Sequence, residues 1–213
     1  TELTTLVRSQ LNPIKSIYSA DEAFYLLSLQ DSQTVYCFDM RGPLPDGANR
    51  VTTWSGVNPR SMALLQDGSV YFGREDGIFK YEGYQDNGSS YLMSYYSNPL
   101  NFGNSTNLKF LKKFNITVIG NVASKTTLAW GYDYDGGFTK KAFSTDLTNT
   151  IISEFNIAEF SIGKYTIGID IQRPKINTSG SGTVVTIGIE STIDGAPYSI
   201  QQIDVHALLG RLI

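Results

Sequence analysis

The chain has 213 residues, 41% of them apolar, with 17 basic against 20 acidic side chains and a formal net charge of −3. Such a composition builds a globular core, and the acidic balance excludes the electrostatic footprint of a general nucleic-acid or membrane-surface binder, so any DNA contact has to be local. The single cysteine, Cys37, excludes an internal disulfide and is expected as a buried thiol in a reducing compartment.

No run of eighteen apolar residues occurs, so no membrane-spanning helix is expected. No signal peptide is visible either, and Thr1 reads as a cleavage product or as the start of the visible part of a longer chain. Residues 1–17 are polar with scattered apolar positions and Pro13, and read as an incoming strand and a connection. Residues 23–30 (AFYLLSLQ) and 34–40 (TVYCFDM) form a hairpin around Asp31-Ser32-Gln33. Residues 41–49 (RGPLPDGAN) are turn chemistry, and 51–54 resume an extended run. Three short strands then follow, 61–65, 69–73 and 78–81. The pairs Asp67-Gly68 and Asp76-Gly77 between them supply the positive φ angles of tight hairpins. This antiparallel meander has the form of a propeller blade, but the segment amounts to between one and two blades and cannot close by itself.

The polar tract 85–90 (QDNGSS) marks a boundary. The expected organisation is therefore all-β, with one or more incomplete propeller blades over 1–84, a linker over 85–90, and a jelly-roll-like β-sandwich over 91–213. Strands are expected at 91–97, 109–119, 126–134, 139–143, 151–157, 165–171, 183–190 and 198–205. Two of these, YTIGIDI and TVVTIGIE, alternate at period two, as in a sandwich strand with one face on a core. The tail 206–213 (HALLGRLI) is expected as a short helical turn or as an ordered tail reaching a neighbour. No amphipathic helix of three turns is expected.

Little in the sequence assembles into chemistry. The one histidine, His206, has no nucleophile elbow near it, and one His with one Cys cannot form a zinc site. The run Asp133-Tyr134-Asp135-Gly136-Gly137 starts like a calcium loop but lacks the later ligands, and reads as a hairpin turn. Asp133 with Asp135, Glu75 with Asp76, and Asp21 with Glu22 read as solvated turn acids, and not as the facing pair a glycosidase needs. Residues 179–183 (SGSGT) precede no helix and read as a flexible hairpin tip instead of a phosphate cradle. Tyr81, Tyr84, Tyr91, Tyr95 and Tyr96 are expected in core or interface packing, and Lys109, Lys112 and Lys113 on the solvent side of a long strand. No catalytic, cofactor-binding or metal-binding residue is assigned.

The order of these features, from NPRSM…DGSVYFG…DGIFKYEGY through LKFLKKFNITV and LAWGYDYD to GTVVTIGIE…GAPYSIQQIDV…GR, resembles the C-terminal part of tail nozzle proteins of short-tailed bacteriophages. That group comprises the tail tubular protein B class and the packaged-DNA stabilisation proteins. The likeness spans roughly residues 57–211. It implies a structural virion protein without enzymatic activity or cofactor, and one subunit of a ring, hexameric in that family. The ring continues the portal and adaptor channel, helps retain the genome, conducts double-stranded DNA at ejection without reading its sequence, and meets tail fibre or tail tip proteins. Family members are several hundred residues long, so most of the propeller would lie on preceding sequence. The rival reading is a glycan-binding β-sandwich that uses Trp54, Trp130 or tyrosines as a stacking platform, with Asp133 and Asp135 bonding hydroxyls.

Overall fold

The computed structural model describes residues 2–45, 47–120, 124–145 and 170–212. The chain divides into two compact units, Thr1–Glu82 and Gly83–Ile213. Apart from one short helix, the regular structure of the described residues is β, in open antiparallel sheets.

The first unit opens with α1 (Glu2–Ser9) where an incoming strand was expected. Leu3, Leu6 and Val7 recur at helical and not at strand spacing, which outweighs the scattered polar residues, and Arg8 sits in the last turn where a cation complements the helix dipole. Four strands then run up and down in one sheet: β1 (Lys15–Ser19), β2 (Phe24–Leu29), β3 (Thr34–Asp39) and β4 (Val51–Ser55). The expected hairpin pairs Leu29 with Thr34 and Phe24 with Asp39. A second sheet holds β5 (Ser61–Leu64), β6 (Val70–Arg74) and β7 (Gly77–Lys80), the meander predicted from its two Asp-Gly turns. Gly68 adopts φ +80°, and the Asp67 carboxylate accepts from the Ser69 amide and hydroxyl at 3.0 Å each. The two sheets share one core of Phe24, Leu26, Val35, Val70 and Phe72, with Cys37, Trp54 and Met62 packed against it.

In the second unit, β8 (Tyr91–Tyr96), β9 (Asn107–Gly120), β10 (Ser124–Tyr132) and β11 (Thr139–Thr145) precede the short strands β12 (Asp170–Gln172), β13 (Lys175–Asn177) and β14 (Ser181–Gly182). β15 (Val185–Ile193) and β16 (Tyr198–Leu212) complete it. One sheet runs in the order β11-β10-β15-β8. In the other, β9 is central, with β12, β13 and β14 along one side and β16 along the other. Leu111, Phe114, Ile116 and Val118 from β9 meet Leu128 and Trp130 from β10 and Val185, Ile187 and Ile189 from β15 in one core. Each such side chain contributes roughly 1.5–3 kcal/mol by leaving water. The expected strand 151–157 and most of 165–171 lie outside the described residues.

The tail differs from expectation and does not turn into a helix or leave the sheet: β16 continues through Leu212, paired with β9 down to Asn107. Within the tract 85–90, Asp86 and Ser89 form a bridge and the Gln85 amide donates to Asp194 at 2.7 Å.

β9 departs from simple alternation at its LKKF run. Leu111 and Phe114 are both buried although three positions apart, and this is possible because β9 advances from Lys113 to Leu111 while β16 advances only from His206 to Ala207. Lys112 is therefore the extra residue of a β-bulge, and the bulge puts Lys112 and Lys113 together on the outer side.

Candidate functional site

Among the described residues of the second unit, the most elaborate polar arrangement lies where the tip of 179–184 crosses the end of β10. Ser179 accepts through its carbonyl from Trp130 Nε1 at 3.1 Å and from the Tyr132 hydroxyl at 2.8 Å. β14 pairs with Phe110 and Lys109 of β9. The flexible tip expected from SGSGT is instead a pinned strap, and its glycines are required by contact: a Cβ on Gly182 would lie 2.7 Å from Tyr132 Cβ, and one on Gly180, at φ +99°, 2.5 Å from Tyr132 Cε2. Partial burial pushes the Tyr132 hydroxyl up to about 12.

Asp133 and Lys109 fasten the same strap from below. Asp133 Oδ1 accepts from the Thr183 hydroxyl and amide, both at 2.6 Å, and from the Val184 amide at 3.2 Å. The Thr183 hydroxyl holds this carboxyl below the ordinary aspartate range; burial, the next effect, opposes it, and the two amides and the Lys109 charge add smaller contributions in the same direction as the hydroxyl. Lys109 is fully buried, at 0% exposure. Its Nζ donates to the Asn104 carbonyl and, at 2.6 Å, to the Thr183 carbonyl. Lys109 was expected to face solvent; it points inward because it is in phase with Leu111 on β9, and its ammonium exchanges water for two backbone carbonyls.

The depressed Asp133 pKa fixes a pH dependence. A carboxylate with a lower pKa folded than unfolded adds stability that is present above the unfolded value and is lost as pH falls through the folded one. Urea melts of Asp133→Asn are expected to be weaker than those of the parent at neutral pH and to converge on them below the ordinary aspartate range. A constant difference down to the most acidic point would show that the carboxylate charge is not what the strap uses.

The other singled-out residues are dispersed. His206 is exposed on β16, where Asn115 Nδ2 donates to its Nε2 at 2.8 Å, and no nucleophile is set beside it among the described residues. Cys37 is half-buried, and burial pushes its thiol up, which lowers its reactivity. Glu75 pairs with Arg60, and Asp76 with Arg74, as solvated ion pairs. Among the described residues no group of three or more His, Cys, Asp or Glu side chains is arranged to hold a metal ion. Trp130, at 3% exposure, is a core residue and offers no stacking face. Trp54 already has a partner, stacking on Tyr81 with ring centroids 5.7 Å apart and planes at 5°. Tyr81 packs further against Phe24 and Phe72, whereas Tyr95 is 60% exposed on the edge strand β8.

Two surfaces remain prominent, and alternation alone signalled neither. One is the end of β16, where Leu208 and Leu209 are 58% and 61% exposed beside a partly exposed Phe110. The other is the outer side of β9, β13 and β16, which gathers Lys112, Lys113, Lys175, Asn115, Asn177, Asp204 and His206. No protein-family model matches the chain, and no curated protein matches its sequence.

Proposed function

We propose that this chain is the C-terminal part of a subunit of a bacteriophage tail nozzle, a ring of identical copies that continues the portal and adaptor channel. In this reading β1–β4 is one propeller blade and β5–β7 belongs to the next, with the remaining blades on preceding sequence. The second unit is a β-sandwich built on its two sheets. The protein acts through shape and surface and performs no covalent chemistry. It resides in the virion tail, helps retain the packaged genome, passes double-stranded DNA at ejection, and touches tail fibre or tail tip proteins on its far side.

The observation that carries the reading, beside the sequence resemblance, is β16. Fifteen residues long, it has β9 as its one neighbour among the described strands, and along its other edge, about 50 Å long, no described strand takes up the backbone donors and acceptors. Long apolar edges are a liability in a protein that works alone and an asset in one that works paired. Leu208 and Leu209 stand at the end of that edge, and Tyr95 stands on the edge strand of the other sheet. A ring needs two different faces on each subunit, because its contacts are head-to-tail.

Leu208→Asp together with Leu209→Asp, made in the full-length gene product, is expected to shift its mass in light scattering from a multi-copy particle to a protomer while circular dichroism stays unchanged. A particle of unchanged mass would remove β16 from the contact and with it the main structural support for the reading.

A further inference from the structure

The acidic chain carries its cations unevenly. Arg41, Arg50, Arg60, Arg74, Lys80 and Lys140 each have a carboxylate within ion-pair distance. Lys112, Lys113 and Lys175 have none among the described residues, and they share the outer side of one sheet. The pairings place them closely: Lys113 lies between Asn177 on β13 and His206 on β16, and Lys175 lies beside Asn115 on the same side of β9. Lys113 and Lys175 are thus one strand and two residues apart, roughly 8 Å between backbones from ordinary strand spacings. Lys112 joins them only because the bulge adds a residue there. Arg173 precedes Lys175 by two residues and is exposed. Among the described residues one acid, Asp204, shares the face; it lies opposite Asn115 and accepts from the Gln202 amide at 2.6 Å.

We infer that this face is a contact surface for the phosphate backbone of double-stranded DNA, with Lys112, Lys113 and Lys175 as the charged contacts. The cations favour a polyanion, and the neutral side chains between them favour nucleic acid over an acidic protein. Asn177 is an amide donor of the kind that fixes phosphate oxygens without reading bases, and Asn115 and Gln202, whose amides each donate one N–H to His206 and Asp204, carry a second. With about three phosphates neutralised, the contact is weak, sequence-independent and strongly salt-dependent. The inference stands independently of the nozzle reading.

The test uses the whole chain and a short labelled DNA duplex of mixed sequence, followed by fluorescence anisotropy across a salt series. Binding is expected to fall with a slope of about −3 in log K against log salt, which is a loss of a few tens of fold between about 50 and 200 mM. The triple variant Lys112→Ser, Lys113→Ser, Lys175→Ser, checked for fold by circular dichroism, is expected to flatten that slope by about 2–3, at roughly 0.9 for each phosphate no longer neutralised. Lys125→Ser with Lys141→Ser, which removes two exposed lysines of β10 and β11, is expected to leave it unchanged. No duplex binding at low salt, an unchanged slope in the triple variant, or preference for polyglutamate over duplex at equal charge would each overturn the inference. A closed ring that ignores DNA would remove this inference alone, and a monomer that binds duplex through these lysines would remove the nozzle reading alone.

Discussion

Lys109→Ala is expected to lower the unfolding free energy by about 3–5 kcal/mol, measured by urea denaturation at neutral pH. The substitution removes a buried ammonium that satisfies the Asn104 and Thr183 carbonyls, leaves both without that donor, and opens space beneath the strap. Lys109→Met, which keeps most of the volume, separates the two contributions and is expected to recover part of the loss. Lys112→Ser with Lys113→Ser, on the outer side of the same strand, is expected to change stability by no more than about 0.5 kcal/mol. A Lys109→Ala loss below about 1 kcal/mol would mean that water replaces the ammonium and that Asp133, Tyr132 and Trp130 hold the strap without it.

Trp130→Ala is expected to cost a similarly large amount, about 3–5 kcal/mol, since the indole is buried against Phe114 with ring centroids 6.2 Å apart and its Nε1 holds the Ser179 carbonyl. This substitution discriminates between core and platform. A stacking tryptophan on a glycan site can be removed with little change in thermal midpoint and loss of the ligand, whereas a core tryptophan takes the fold with it. A midpoint within a degree or two of the parent would restore Trp130 as a surface residue and reopen the glycan-binding reading.

Much of the strand layout was legible because its signals are local. Asp67-Gly68 and Asp76-Gly77 set two hairpins of the first unit through the positive φ angles their glycines permit, +80° at Gly68 and +149° at Gly77, and the apolar runs on either side of Asp31-Ser32-Gln33 set another. The helix Glu2–Ser9 was missed because three apolar positions in eight residues make a faint period. Non-local effects decided the rest. Nothing within LKKF announces a bulge; it follows from the register of β16, nearly a hundred residues away, and only the bulge separates a buried Lys109 from an outward Lys113, which simple alternation would place on the same face. Likewise SGSGT has the composition of a loose turn, and its rigidity comes from Tyr132, Trp130 and Asp133 on another strand and the turn that follows it. The same holds for the surfaces on which the functional reading rests, since exposure of Leu208, Leu209 and Tyr95 depends on which strands end a sheet.

The measurement that tests the central claim most directly is the mass of the particle formed by the full-length gene product in light scattering, taken together with single-particle class averages. The nozzle reading predicts a closed ring of several copies with an axial hole about as wide as a DNA duplex. A stable monomer or a trimer without such a hole would contradict it.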